Sequence, residues 1–334
     1  MVLVLYKEDN AATSMEEEIV VSIVCNTFNQ ESYIAQTIEG FINQKTNFHY
    51  EVLIHDDASN DNTQQIIRQY EMRYPHIIKP IYQQENQYSK GISITNTYQL
   101  PRAKGKYIAI CEGDDYWTDK YKLKTQVEAL ESHPEINICA HSVSVLRDEK
   151  IDGEVRPFNK DTIVLPERVI LYGGDFVGTC SILYRRCMDD SIPEFRKFLS
   201  IDYSIQVHGS LDNGLLYIDR NMATYRVGSN GSWTNRVLRN PQKAIEHYEM
   251  MEKLLEIIDE NTNYKFSNVI TFVHNEYEFK KAYALGDKNY LKSIARKLTV
   301  FGNLKVYKLF EVKASIKNGI KYQFPFLYEY LHKK

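Results

Sequence analysis

The 334-residue sequence predicts an α/β protein, a doubly wound, Rossmann-like and mostly parallel sheet with helices on both faces, followed by a C-terminal helical extension. Three observations carry that expectation. Between residues 19 and 146 short apolar runs alternate with amphipathic segments, the β-α-β pattern of a parallel sheet. Three of those runs stop at polar clusters, Asn26–Asn29, Asp56–Thr63 and Glu112–Asp115, and such sheets bind ligands beyond the carboxyl ends of their strands. From Pro241 onward apolar residues return at spacings of three and four, the period of a helix.

The elements follow in order. Ile19–Cys25 is a nearly continuous apolar run, as in strands buried on both faces. Asn26–Asn29 reads as a turn, and Ile34, Ile38, Phe41 and Ile42 then share one helical face. Glu51–His55 is a second strand. It ends at Asp56–Thr63, a loop rich in helix-capping residues, and the helix Gln64–Tyr74 is stopped by Pro75. Ile77–Tyr82 is a third strand, Gly91–Leu100 a helix, and Lys106–Cys111 a fourth strand running straight into Glu112–Trp117. Asp119–His133 is helical with Leu123, Val127 and Leu130 inward, and Ile136–Leu146 is a further strand. Beyond Arg147 the alternation weakens to three short apolar stretches, Val164–Leu171, Thr179–Arg186 and Leu215–Arg220. Ile245, Tyr248, Met251, Leu255 and Ile258 mark a long helix, continued over Asn268–Leu285 and Asn289–Leu298. The expected organisation is an acidic leader over 1–18, an α/β domain over 19–235 with halves 19–146 and 147–235, and a helical, basic region over 236–334.

Composition narrows the class. Charged residues make up 25% and apolar residues 43%, ordinary values that exclude a disordered chain. No apolar run approaches the ~18 residues of a membrane span. Met1–Leu5 is too short for a signal-peptide core, so a soluble, cytoplasmic protein is expected, with no nucleic acid among its partners. Five cysteines without a C-x-x-C pair and nine histidines without an H-x-x-x-H pair speak for small buried thiols and against zinc. No G-x-G-x-x-G follows the first strand and no G-x-x-x-x-G-K-[ST] occurs, so both glycine-rich phosphate fingerprints are missing.

Acidic strand ends hold phosphates in another way. Asp114 and Asp115, with Glu112 two positions before, repel one another unless they share a cation. Mg²⁺ or Mn²⁺ binds one or two carboxylates together with substrate phosphates and waters, and neutralises a diphosphate as its bond to carbon breaks. The plainer alternative is a solvated turn capping the helix at Asp119, which the buried strand before it and Tyr116-Trp117 after it disfavour. Asp56 and Asp57 also end a buried strand, where a carboxylate can accept from a base imide N–H or ribose hydroxyls. Capping the next helix is the competing role, and Ser59 and Asp61 fill it equally well, leaving the pair to a ligand.

The stretch from Val20 to Leu146 resembles the nucleotide-sugar-binding half of the family 2 glycosyltransferases, inverting enzymes of the GT-A fold. Val21–Asn29 resembles the opening strand and its T-[YF]-N turn, Glu51–Thr63 the DDxSxDxT loop, and Gly105–Trp117 the strand leading to the D-x-D-type metal site. The resemblance implies that Thr27, Phe28, Asn29 and Asp57, assisted by Asp56, hold the nucleotide of a nucleotide-diphosphate sugar. It implies that Asp114 and Asp115 bind the ribose and the metal-diphosphate, with Mn²⁺ or Mg²⁺ as cofactor. Glu112 stands where the first Asp of the motif is usual, and Asn26 where a Pro is common. In the second half, Phe198–Tyr203 resembles the [EG]-D-[WY] segment, which makes Asp202 the general base for the acceptor hydroxyl. Tyr225–Trp233 resembles the Y-R-x-H-x-x-S stretch that closes over the diphosphate; Arg226 and Ser232 fit it, and Gly228 replaces the usual His. Gly178-Thr179 resembles the small-residue segment lining the acceptor side.

A glycan or lipid-linked acceptor in cell-envelope polysaccharide synthesis follows from the same resemblance, and a UDP-sugar is the expected donor. A sugar nucleotidyltransferase is disfavoured, because the turn after the first strand lacks its Gly-rich, basic loop. An inactive sugar-nucleotide binder has no need of Asp202. The net charge of −3 hides an asymmetry, with 13 Lys/Arg against 3 Asp/Glu from Lys280 onward. Lys292 and Arg296 beside Leu291, Ile294 and Leu298 suggest peripheral contact with an anionic inner membrane face. Packing on the catalytic domain and a homodimer interface are the competing readings of that segment.

Overall fold

The computed structural model describes residues 18–199, 201–229 and 240–286. The strands are β1 (Ile19–Thr27), β2 (His49–Asp56), β3 (Ile78–Tyr82), β4 (Tyr107–Ile110), β5 (Tyr116–Trp117), β6 (Ile138–Arg147), β7 (Lys150–Val155), β8 (Thr162–Val164), β9 (Leu183–Arg185) and β10 (Leu215–Val227). They form one sheet in the order β3-β2-β1-β4-β9-β6-β10-β5, with β7 added to β6 and β8 to β10. The first four are mutually parallel, and β6 and β10 are parallel to each other. β9 runs antiparallel to both β4 and β6 and so joins the two halves.

Strand periodicity assigns the two cores. Val21, Ile23 and Cys25 of β1 and Val52 and Ile54 of β2 face α1 (Ile34–Ile42), α2 (Thr63–Arg73) and α3 (Lys122–Glu131). In that layer the Phe41 and Trp117 rings meet edge to face at 4.8 Å. Burial of such a side chain contributes ~1.5–3 kcal/mol. The alternate residues Val24, Leu53, Ile108 and Ile110 face α4 (Pro166–Tyr172), α6 (Asp202–Ser210), α7 (Pro241–Asn261) and α8 (Ser267–Ala284), with α5 (Glu194–Phe198) beside them. Leu254, Leu255 and Ile258 of α7 and Ile270 and Val273 of α8 belong to that core, so these two helices cover a face of the sheet. Asn240 caps α7, its side-chain oxygen accepting the Gln242 and Lys243 N–H groups, with Pro241 at the first helical position. Four of the five cysteines are buried in these layers.

Three segments differ from their sequence expectation. Gly91–Leu100 is no regular helix but a π-type turn, Thr95–Gln99, followed by a 3₁₀ turn, Leu100–Arg102. Gly91 lies at φ 77° and Pro101 has no N–H to continue a helix, while the Gln99 amide donates to the Cys25 and Leu53 carbonyls between β1 and β2. Val164–Leu171 is split between β8 and α4 by Pro166, and Leu215–Arg220 continues as β10 to Val227. The polar Asp219–Asn221 sits at a register shift between Ile218 and Ala223, which hid the continuation. Residues 1–17 of the expected leader over 1–18 and the expected helix Asn289–Leu298 lie outside the described residues. Among the described residues no helix is long and apolar enough to cross a membrane.

Candidate active site

Parallel pairing brings the carboxyl ends of β1, β2 and β4 to one edge. Thr27 pairs with Asp56, the Asp57 N–H donates to the Thr27 carbonyl at 3.0 Å, and the Gly113 N–H donates to the Asn26 carbonyl at 3.0 Å. A Cβ on Gly113 would stand 2.8 Å from the Thr27 Cβ and 2.4 Å from Gln30 Oε1, so only glycine fits that approach. The Thr27 hydroxyl donates to Gln30 Oε1 at 2.7 Å. Asn29, in the left-handed region at φ 53°, donates its N–H to Ser59 Oγ (2.8 Å) and accepts the Asn60 N–H on its side chain (2.9 Å). The turn after β1 is thereby locked to the loop after β2, with the Phe28 ring 38% exposed.

Asp56 and Asp57 carry more structure than the sequence indicated. Asp61 does bond the Thr63 N–H at the head of α2, at 2.9 Å. Asp56 Oδ1 nevertheless accepts the Ser59 N–H (3.0 Å) and the Gln64 amide (2.6 Å), and its buried Oδ2 has no partner among the described residues. Asp57 accepts the Gln87 N–H on one oxygen (2.8 Å) and the Tyr88 N–H on the other (3.0 Å). The pair is not left idle for a ligand; Asp57 also ties the loop after β3 to the edge.

The acid loop after β4 separates its three carboxylates. Glu112 and Asp114 are half-buried, whereas Asp115 is 1% exposed. Asp115 Oδ1 accepts the Arg226 backbone N–H at 2.8 Å. Burial first, then the negative charge of Asp114, pushes the Asp115 carboxyl well up, while the Arg226 N–H pulls it down. Of the two aspartates expected at the cation, Asp115 is the more deeply buried. Asp115 is turned into the protein, because without it the Arg226 N–H would be buried and unpaired. The Thr37 hydroxyl of α1, 2.6 Å from the Asp115 carbonyl and 2.9 Å from that of Gly113, pins the loop from the other side.

Asp114 instead meets the end of β10. Its carboxylate accepts the Ser229 hydroxyl and its carbonyl accepts Arg226 Nη1. The guanidinium also donates to Gln36 Oε1 (2.9 Å) and lies over the Tyr33 and Tyr116 rings at 4.5 and 5.3 Å. Its Nε is buried with no partner among the described residues.

Asp202 opens α6 from the second half. The cap position is Ile201, closed by the Ser204 hydroxyl, so Asp202 is the first helical residue and not the N-cap. Its Oδ1 accepts the Tyr203 N–H and its Oδ2 the Thr179 hydroxyl, both at 2.8 Å. Burial, then the negative charges of Asp114 and Asp202, push the Glu112 carboxyl up to about 8. Acids from both halves thus act on one another. Among the described residues no three His, Cys, Asp or Glu side chains group as a complete metal cage. A divalent cation bound through phosphates needs only one or two carboxylates, and Glu112 and Asp114, whose mutual repulsion a cation would relieve, fit that role.

Of the expected residues, Thr27, Phe28, Asn29, Asp56, Asp57, Glu112 and Asp114 gather at one sheet edge, and Arg226 and Asp202 approach from the second half. Ser232 lies outside the described residues. Sequence reading missed Ser229, Thr37, Gln36 and the two tyrosines around Arg226. Only Ser229 carried a signal, as a hydroxyl directly after Gly228 in the stretch already singled out.

A parallel four-strand half, an acid loop after its fourth strand and a helix-leading aspartate from the second half define a GT-A-type α/β protein. The chain belongs to glycosyl transferase family 2, whose model matches residues 22–192, just over half of its length. It is 39% identical over 217 residues to an uncharacterized protein of Mycobacterium tuberculosis, covering 64% of this chain and 60% of that one. It is 34% identical over 113 residues to WfaP of Escherichia coli, a UDP-Glc:α-D-GlcNAc-diphosphoundecaprenol β-1,3-glucosyltransferase, covering 34% of this chain and 42% of that one. Staphylococcus aureus TarS 1-349, solved with UDP-GlcNAc, shares the fold with a TM-score of 0.62 at 18% identity, over 84% of this chain and 82% of that one. The chain spans less than two thirds of the length of these sequence relatives.

Proposed function

We propose that the chain is an inverting glycosyltransferase that moves a sugar from a nucleotide-diphosphate donor, a UDP-sugar, to a hydroxyl of a glycan or lipid-linked acceptor in cell-envelope polysaccharide synthesis. One observation carries this reading: the Thr179 hydroxyl holds Asp202 of the second half, and the neighbouring Cys180 carbonyl accepts the Trp117 indole N–H at the end of the acid loop, so a base and donor-side acids share one site. Similarity to WfaP, named for transfer from UDP-Glc to a diphosphoundecaprenol acceptor, supports the donor and the lipid-linked acceptor.

The edge formed by Thr27, Phe28, Asn29 and Asp57, with Asp56 behind it, receives the nucleoside. The exposed Phe28 ring offers a stacking face, and Asp57 holds the Gln87–Tyr88 loop to the same edge. Arg226 faces the diphosphate, its Nε, without a partner among the described residues, a donor suited to a phosphate oxygen, and Ser232 follows it in sequence. Asp114 and Glu112 would hold a Mn²⁺ or Mg²⁺ ion, which would neutralise the departing diphosphate. Asp202 takes the proton of the acceptor hydroxyl as that oxygen bonds the anomeric carbon from the face opposite the nucleotide. The bond to the diphosphate oxygen breaks on the other side, so the configuration inverts with a single carboxylate base. The basic sequence after Lys280 would bring this site to an anionic membrane face where lipid-linked acceptors lie.

Incubation of the protein with UDP-glucose, UDP-GlcNAc and GDP-mannose in the presence of Mn²⁺ tests the reading. Release of UDP is expected with one of the UDP-sugars. Release of pyrophosphate, or of no nucleotide from any donor, overturns it.

A further inference from the structure

We propose that Thr179 is a positioning residue for the general base, its hydroxyl holding the Asp202 carboxylate in the orientation that meets the acceptor. The inference rests on Asp202 acting as base. Two donors fix the carboxylate from separate directions, the Tyr203 N–H on Oδ1 and the Thr179 hydroxyl on Oδ2, each at 2.8 Å. The Tyr203 N–H is local and moves with α6. The Thr179 bond, 23 residues away in sequence, ties the carboxylate to a different part of the fold.

That part is held firmly, and by the donor side of the site. Thr179 starts a 3₁₀ turn, Thr179–Ser181, whose Ser181 N–H returns to the Gly178 carbonyl at 2.9 Å. Gly178 packs so closely on Val143 that a Cβ would lie 2.8 Å from Cγ2. The Trp117 indole N–H donates to the Cys180 carbonyl at 3.0 Å, and the Gln126 amide to the Ser181 carbonyl at 2.7 Å. Trp117 follows the acid loop by two residues, so a path runs from Asp115 through Trp117 and the 179–181 turn to Asp202, registering the base against the donor acids. Threonine suits the task because its β-branched side chain restricts χ1, and a hydrogen bond to a carboxylate is stronger than one between neutral groups.

The test uses the full chain with Mn²⁺ and whichever of UDP-glucose and UDP-GlcNAc releases UDP faster. Thr179→Val, near-isosteric but without the hydroxyl, should lower kcat about tenfold, the scale of one charge-assisted hydrogen bond, with the donor KM within about twofold. Thr179→Ser should restore kcat to within about threefold. In an Asp202→Asn background the Val substitution should cost less than about twofold, because a positioning residue has nothing left to position. Thr179→Ala carries the same expectations should the Val variant fold poorly. Unchanged kcat in Thr179→Val, no rescue by Ser, or an equal loss in both backgrounds would overturn the proposal. Wild-type turnover by Asp202→Asn alone overturns instead the base assignment beneath it.

Discussion

The Oδ1 of Asp115 accepts the backbone N–H of Arg226 at 2.8 Å, across 111 residues of sequence. That bond joins the acid loop of the first half to the last strand of the second, and it leaves Asp114 at the edge. The two adjacent aspartates therefore have different work, which substitution should separate.

Asp115→Asn keeps an acceptor for the Arg226 N–H and removes a charge that burial and Asp114 disfavour. Its melting temperature should equal or exceed that of the wild type. Asp115→Ala orphans the N–H and should lose about 1–3 kcal/mol. Calorimetric titration should show Mn²⁺-dependent UDP binding kept in Asp115→Asn and lost in Asp114→Asn. The reverse pattern would return the metal to Asp115.

Gly113→Ala places a methyl group 2.8 Å from the Thr27 Cβ. The loop must retreat from β1, at a cost of about 1–3 kcal/mol of stability and with weaker nucleotide binding. Thermal melts with and without UDP read both effects, and an unchanged protein would show that the contact yields freely.

The raised Glu112 carboxyl makes a pH prediction. Its native value of about 8 lies above the ordinary 4.5, so between those values the folded state holds a proton that the unfolded state has released. Stability then falls as pH rises through that window. In EDTA, the drop in melting temperature from pH 5 to pH 8 should be smaller in Glu112→Gln than in the wild type. Identical drops would mean that Glu112 does not titrate there.

Much of this was legible in the sequence where a local pattern decides it. The buried runs at Ile19–Cys25 and Lys106–Cys111 could only be parallel core strands, and their polar ends marked the edge where Thr27, Asp57 and Asp114 stand. What escaped depends on partners distant in sequence. Nothing around Asp115 announces that its acceptor duty lies with Arg226, and nothing in Asp219–Asn221 shows that β10 continues past a register shift. The structural half of Asp57's role, beside the nucleotide-binding one expected of it, escaped for a similar reason, since the two N–H groups it accepts come from a loop 30 residues later whose irregular turns follow no period.

On the proposed reading Asp202 is the base for glycosyl transfer at a donor site built by Asp57, Asp114 and Arg226. Its most direct test is the Asp202→Asn variant, assayed for UDP release from the active UDP-sugar with Mn²⁺ and for UDP affinity by calorimetry. Affinity should stay within about twofold of the wild type while kcat falls about 10²–10⁴-fold, the usual contribution of a general base. Wild-type turnover, or a loss of UDP affinity that accounts for the whole fall in rate, would contradict it.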